Sequence, residues 1–303
     1  MCTILSSQLK EFLLSFSDNP FEPQTPLTTQ PETQVPGALA SDPSVPAILA
    51  PVTPAPPVRD PVWSGWDVLL IAGLTVLAML VLQLVVIFGA AWFVYPHASL
   101  TEVAQKPILL LLSQFLIYAV VAAFMVMLVE GKYHVPFWEA IRWKWPSSEW
   151  KLLGLGATMM FTLGLLQSLL PMPKDTPFEH LFDRPRDAYL LSIIAVTLGP
   201  LMQQIFFRGF MYPVLARRMG TVWAIVLTAL PFGLIHLPQY GWAWGAALVI
   251  ILVGMVCGVV RAVTGSVAAS FLVHVGYNGA QMIVAIVYTH GFRHLNGTIL
   301  SWR

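Results

Sequence analysis

Three short polar sets interrupt the apolar stretches of this chain, and each is spaced so that its members share one face of a helix. Gln204 and Arg208 stand four residues apart in PLMQQIFFRGFMYPVLARRMG, with Gln203 beside them. Phe232 and His236 are likewise one turn apart in FGLIH, close to Pro231 and Pro238, which can bend or end a helix. His274 and Asn278 repeat the spacing in HVGYN. Imidazoles can take and give protons near neutral pH, while amides and a guanidinium can meet charge that develops on a substrate. Each set also has a plainer reading. Glutamines hydrogen-bond neighbouring membrane helices for about 1 kcal/mol or less per contact, Arg208 can snorkel, and a buried histidine can serve packing alone.

The elements that must position these groups follow from composition. Hydrophobic residues make up 57% of the chain and charged residues 10%, which excludes an ordinary water-soluble domain. Apolar runs near 68–94, 107–129, 152–170, 188–219, 221–237, 241–260 and 265–289 approach or exceed the length a helix needs to cross a bilayer core about 30 Å thick. The expected fold is therefore all-α, a polytopic transmembrane bundle of about seven helices, with 188–219 read as a helix plus an extension.

Residues 1–62 differ in character, being rich in proline, threonine and alanine without a sustained period, and they read as a disordered tail. No signal peptide is expected, so the first apolar run acts as the membrane anchor and residues 63–303 form the transmembrane domain. With seven crossings, the tail, the 130–151 loop, the 217–220 turn and the turn at Arg261 share one face. That face holds the larger share of the basic residues, which places the tail in the cytoplasm. Trp138, Ile141, Trp143 and Trp145 in VPFWEAIRWKWPSSEWK suit a segment lying at the lipid headgroups.

Composition also excludes several functions. Cys2 and Cys257 are the only cysteines, too few for a disulfide framework or a cysteine-rich metal site. Sixteen lysines and arginines are scattered along a chain of net charge +1, which argues against nucleic acid as a partner. Membrane lipids are the expected surroundings.

Taken in order, QQIFFRGF, FGLIH and HVGYN resemble the motifs EExxxR, FxxxH and HxxxN of the CPBP family, the CAAX prenyl endopeptidases and bacteriocin-processing enzymes. The resemblance covers roughly residues 136–289, and PFWEAIRW is similar to a segment upstream of those motifs. It implies an intramembrane endopeptidase in which a glutamate and a histidine activate water against a peptide or protein substrate, lipidated or not. Carried over by position, Gln203 and Gln204 stand at the two glutamates, Arg208 at the arginine and His236 at the histidine. His274 and Asn278 stand at the pair that meets the oxyanion.

The chain departs from the family pattern at both carboxylates. An amide has nearly the shape of a carboxylate and accepts a hydrogen bond, but it cannot act as a general base near neutral pH. Residues 188–303 contain no aspartate or glutamate, so a substitute base would have to come from earlier helices or loops, such as Glu130, Glu139 or Asp187. Two histidines and neutral amides are also a poor zinc set, since zinc sites use three or four protein ligands and commonly a carboxylate or thiolate. No cofactor is assigned. Lacking a carboxylate in its motif, Arg208 is expected to face water or a membrane-surface anion.

These departures leave an inactivated or weakened endopeptidase and a pseudoprotease that still binds a partner. Two other classes stay open from the residues alone. His236 and His274 could form the proton relay of a small transporter, and the proline-rich tail could recruit a partner to a membrane scaffold.

Overall fold

The computed structural model describes residues 60–171, 176–177, 179–182 and 184–293; most of the proline-rich tail lies outside them. Among the described residues the chain is helical and has no strand. The main helices are α1 (Gly65–Phe93), α2 (Pro107–Val126), α3 (Glu149–Gln167), α4 (Pro185–Val196), α5 (Leu198–Gln204), α6 (Tyr212–Met219), α7 (Thr221–Leu234), α8 (Trp244–Thr264) and α9 (Val267–Tyr288). Each expected apolar run is occupied by helix.

Among the described residues five stretches are long and apolar enough to cross a membrane: Gly65–Phe93, Pro107–Lys132, Pro185–Met219, Trp244–Thr264 and Val267–Tyr288. α7 is a shorter apolar helix, and α3 opens with the charged residues Glu149 and Lys151. Along α1 the side chains of Leu69, Leu77, Leu80, Val85 and Phe88 are exposed. An apolar face of that length is stable against hydrocarbon and costly against water, so this is an integral membrane protein.

The ends of α1 and α2 are locked by a buried carboxylate. Asp67 accepts from the Ser64 backbone N–H at 2.8 Å while Ser64 Oγ accepts from Asp67 N–H, a capping box that satisfies two donors at the helix start. The same carboxylate accepts from Lys132 Nζ at 2.7 Å and Tyr133 Oη at 2.6 Å, at the end of a π-helical extension of α2. Trp63 stacks flat on Phe210 with centroids 4.6 Å apart and donates from Nε1 to the Phe210 carbonyl at 2.9 Å.

The segments expected to share one membrane face do meet. Arg217 donates to the carbonyls of Pro61 and Trp63, and Arg142 pairs with Asp60. Val267 N–H donates to the Arg142 carbonyl and Ser266 Oγ to that of Lys144. The tryptophan segment divides: Trp138 and Trp145 are exposed and suit the interface, whereas Ile141 is fully buried. Ile141 is taken into the core because Gly209 leaves room for it; a Cβ on Gly209 would lie 3.2 Å from the Ile141 Cβ.

Glycine sets the closest helix crossing. A Cβ on Gly156 of α3 would fall 2.1 Å from the Val273 carbonyl oxygen, and one on Gly276 of α9 would fall 2.2 Å from that of Leu153. Neither position accepts even alanine without backbone movement, and small residues at such crossings let membrane helices approach backbone to backbone. The crossing fixes the stretch of α9 that carries His274 and Asn278.

Candidate active site

The 185–219 stretch is not one regular helix. It breaks at Thr197, where α4 ends, resumes as α5 through Gly199 and Pro200, and opens into a π-helical turn over Ile205–Met211 before α6. π-turns displace side chains from the ordinary helical register and concentrate at functional sites. Gln203 and Gln204 lie at the end of α5, and Arg208 lies within the wide turn.

α7 ends at Leu234, so His236 sits in the turn beyond it, just before the 3-10 turn Leu237–Tyr240. Its Nδ1 is 2.7 Å from the Phe232 carbonyl oxygen. A carbonyl only accepts, so Nδ1 carries the proton and Nε2 is the basic nitrogen. That Nε2 lies 3.3 Å from the side-chain nitrogen of Gln203, which donates into its lone pair. The amide thus occupies the very electron pair with which His236 could take a proton.

A second amide–imidazole pair lies deeper. Gln204 Nε2 donates to His274 Nδ1 at 3.0 Å, which puts the neutral ring's proton on Nε2. Gln204 is fully buried, and its Oε1 has no hydrogen-bond partner. Asn278, one turn on, donates from Nδ2 to the Ala195 carbonyl at 2.7 Å and ties α9 to the last turn of α4.

Gln203, His236, His274 and Asn278 line a single cavity of about 500 Å³, with Phe232 in its wall. Residues separated by more than seventy positions in the chain therefore converge on one hollow between helices. Gln204 stands behind this wall against His274, and Arg208 is behind it as well.

Arg208 corrects an expectation. It does not face water: the side chain is fully buried, and among the described residues no carboxylate pairs with it. Its Nη2 donates to the Gly254 carbonyl at 2.5 Å, and its guanidinium lies 4.6 Å from the Phe232 ring centroid and 5.8 Å from that of Phe207. Nε and Nη1 have no hydrogen-bond partner. Helix carbonyl and ring face replace the expected solvent, because a backbone carbonyl accepts from the guanidinium and aromatic faces attract cations. Arg261 is held in the same manner, donating from Nε to the Arg208 carbonyl at 3.1 Å and lying over Tyr212.

The cavity also contains polar groups that motif spacing did not single out. Gln114, Gln167, Gln239 and Gln281 join its lining, as do Tyr118 and Tyr277. Three of those glutamines stand inside runs read as membrane helices, and a glutamine within such a run was the signal available for them.

Among the described residues no group of three or more His, Cys, Asp or Glu side chains converges. His236 Nε2 and His274 Nδ1 are each engaged by an amide N–H, which competes with any ligand bond from those nitrogens.

Fold and site together define the class: an integral membrane bundle with a partly open cavity between its helices, lined by amides and imidazoles among apolar side chains. Residues 185–280 match the family model described as Rce1-like, Type II CAAX prenyl endopeptidase Rce1-like, in agreement with the resemblance to the CPBP proteases read from the motifs. The match contains all three motifs. No curated protein and no solved structure matches the chain.

Proposed function

We propose that this chain is an intramembrane endopeptidase of the CAAX-processing type in architecture, weakened or silenced in hydrolysis, that retains the capacity to bind a peptide segment of a membrane protein substrate. The family match supports the architecture and a protein substrate. One observation carries the loss of activity: the Gln203 amide donates to His236 Nε2. A carboxylate at position 203 would accept a proton from attacking water, whereas an amide N–H can only give a hydrogen bond and does so into the remaining base.

In this reading His236 and position 203 are the pair that would activate water, and His274 with Asn278 would meet the charge growing on the scissile carbonyl oxygen. His274 keeps its proton on the nitrogen not engaged by Gln204, the state a donor to an oxyanion requires. Gln204 and Arg208 act behind the cavity, holding His274 and the Phe232 wall. The tail lies in the cytoplasm with the arginine-rich face, and residues 63–303 form one transmembrane domain.

The test restores the carboxylates. Gln203→Glu, Gln204→Glu and the double variant are purified beside the parent chain and assayed on lipidated and unlipidated peptides. Cleavage by a glutamate variant and not by the parent supports the proposal; equal cleavage by parent and variants overturns it.

A further inference from the structure

Helix α1 is held by the protein along one side. Ile71, Ala78, Val86 and Ala90 pack inward, while Leu69, Val76 and Leu80 are 61%, 58% and 61% exposed. Among the described residues α1 contributes nothing to the cavity lining.

The outward side carries a carboxamide deep in the span. Trp66 and Trp92, each 79% exposed, mark the two membrane interfaces, and Met79 lies midway between them. Gln83 is one turn beyond Met79, which puts it about 6 Å from the midplane of a hydrocarbon layer about 30 Å thick. The headgroups are then about 9 Å further along the helix, beyond the reach of a glutamine side chain. Gln83 is half-buried and makes no hydrogen bond among the described residues. An amide in hydrocarbon is costly unless something pairs with it.

The residues around Gln83 have the spacing of a helix-pairing seam. Leu69, Gly73, Val76, Leu80, Gln83 and Ile87 follow one another by four, three, four, three and four residues, the alternation of the a and d positions of a heptad. Ile71, Ala78 and Val86, which face the protein, lie on a different side of the helix. A Cβ on Gly73 would meet nothing within 4 Å, so a second helix can approach the backbone there. Lipid chains require neither this spacing nor an amide in its midst.

The symmetry of the membrane identifies the occupant. All copies of the chain are inserted in one orientation, so two α1 helices that meet through this side run parallel, and across a twofold axis each seam residue meets its own counterpart. A carboxamide is its own complement, with two N–H donors and a carbonyl acceptor. A second copy therefore brings the partner that Gln83 lacks to the same depth.

We propose that the protein forms a parallel homodimer through the outward side of α1, with an amide–amide hydrogen bond between the two copies of Gln83 fixing its register. The pairing does not depend on whether the cavity cleaves a substrate.

Disulfide trapping in the membranes of expressing cells tests the seam, with Cys2 and Cys257 replaced by alanine. Leu80→Cys lies on the seam, and Val81→Cys is the control at the same depth, about 100° round the helix. Copper phenanthroline is expected to give a dimer band at least about fivefold stronger for Leu80→Cys. Light scattering of the chain with its own cysteines, in dodecyl maltoside, tests the amide. Gln83→Leu is expected to raise the dimer dissociation constant about tenfold with the thermal unfolding midpoint of the monomer kept, and Gln83→Asn to retain most of the affinity. Equal trapping at the two cysteines, or a dissociation constant unchanged by Gln83→Leu, overturns the proposal. A parent chain that stays monomeric throughout, or Leu80→Cys trapped in a band of another mass, places lipid or a different protein on this side and overturns it as well.

Discussion

Gln204 Nε2 lies 3.0 Å from His274 Nδ1 while Gln204 Oε1, fully buried, meets no donor. Phe232 connects this pair to Arg208: its ring lies 5.7 Å from the His274 ring and 4.6 Å from the Arg208 guanidinium, which has two unpaired nitrogens of its own. An acceptor without a donor and donors without an acceptor thus occupy one buried layer. A carboxylate at position 204 would supply the missing negative charge.

Gln204→Glu is therefore expected to stabilise the protein, and the gain should depend on Arg208. A double-mutant cycle with Arg208→Met, read by thermal unfolding in detergent, should give a coupling of about 1–3 kcal/mol between Glu at 204 and Arg208. A coupling near zero would show that the two positions do not share an electrostatic layer.

The crossing of α3 and α9 gives a second prediction. Gly156→Ala and Gly276→Ala place a methyl group 2.1 Å and 2.2 Å, respectively, from a backbone oxygen of the facing helix. Overpacking of this kind costs about 1–3 kcal/mol and more where backbone must move. Gly154→Ala is the control, because its added methyl meets nothing within 4 Å. Equal unfolding midpoints for Gly156→Ala and Gly154→Ala would contradict the described crossing.

A third prediction concerns the lock between α1 and α2. Asp67→Asn removes the charge that receives Lys132, Tyr133 and Ser64, and should cost about 1–3 kcal/mol, since hydrogen bonds to a charged group exceed neutral ones. Lys132→Met should cost less: the lysine side chain is 54% exposed, and the aspartate keeps its other donors. If unfolding midpoints rank the two variants in the opposite order, the carboxylate is not the centre of the lock.

Much of this architecture was legible before any coordinates. The apolar runs gave the helices because hydrocarbon imposes length and polarity on a single segment. The one-turn spacings of Gln204 with Arg208, Phe232 with His236 and His274 with Asn278 identified the polar sets; Gln203, Phe232, His236, His274 and Asn278 line one cavity, while Gln204 and Arg208 stand behind its wall. What depends on a second helix was not legible. Arg208 was expected to face water or a membrane-surface anion because its own segment offers no acid, whereas its partners are the Gly254 carbonyl and the Phe232 ring from α8 and α7. Ile141 left the interfacial segment because Gly209 makes room for it. Gln114 and Gln281 carried no pattern linking them to His236, since a cavity wall built from several helices has no period along the chain.

The central claim is that the chain keeps the geometry of a peptidase and lacks its base, because the Gln203 amide donates to His236 where a carboxylate would accept. Single-turnover cleavage of a membrane-protein peptide by Gln203→Glu, compared with the parent chain at equal loading in the same detergent, tests it most directly. A gain of about 10²–10⁴ in rate is the expected result, the span that a positioned general base contributes. A parent chain that cuts as fast as the glutamate variant would contradict the account.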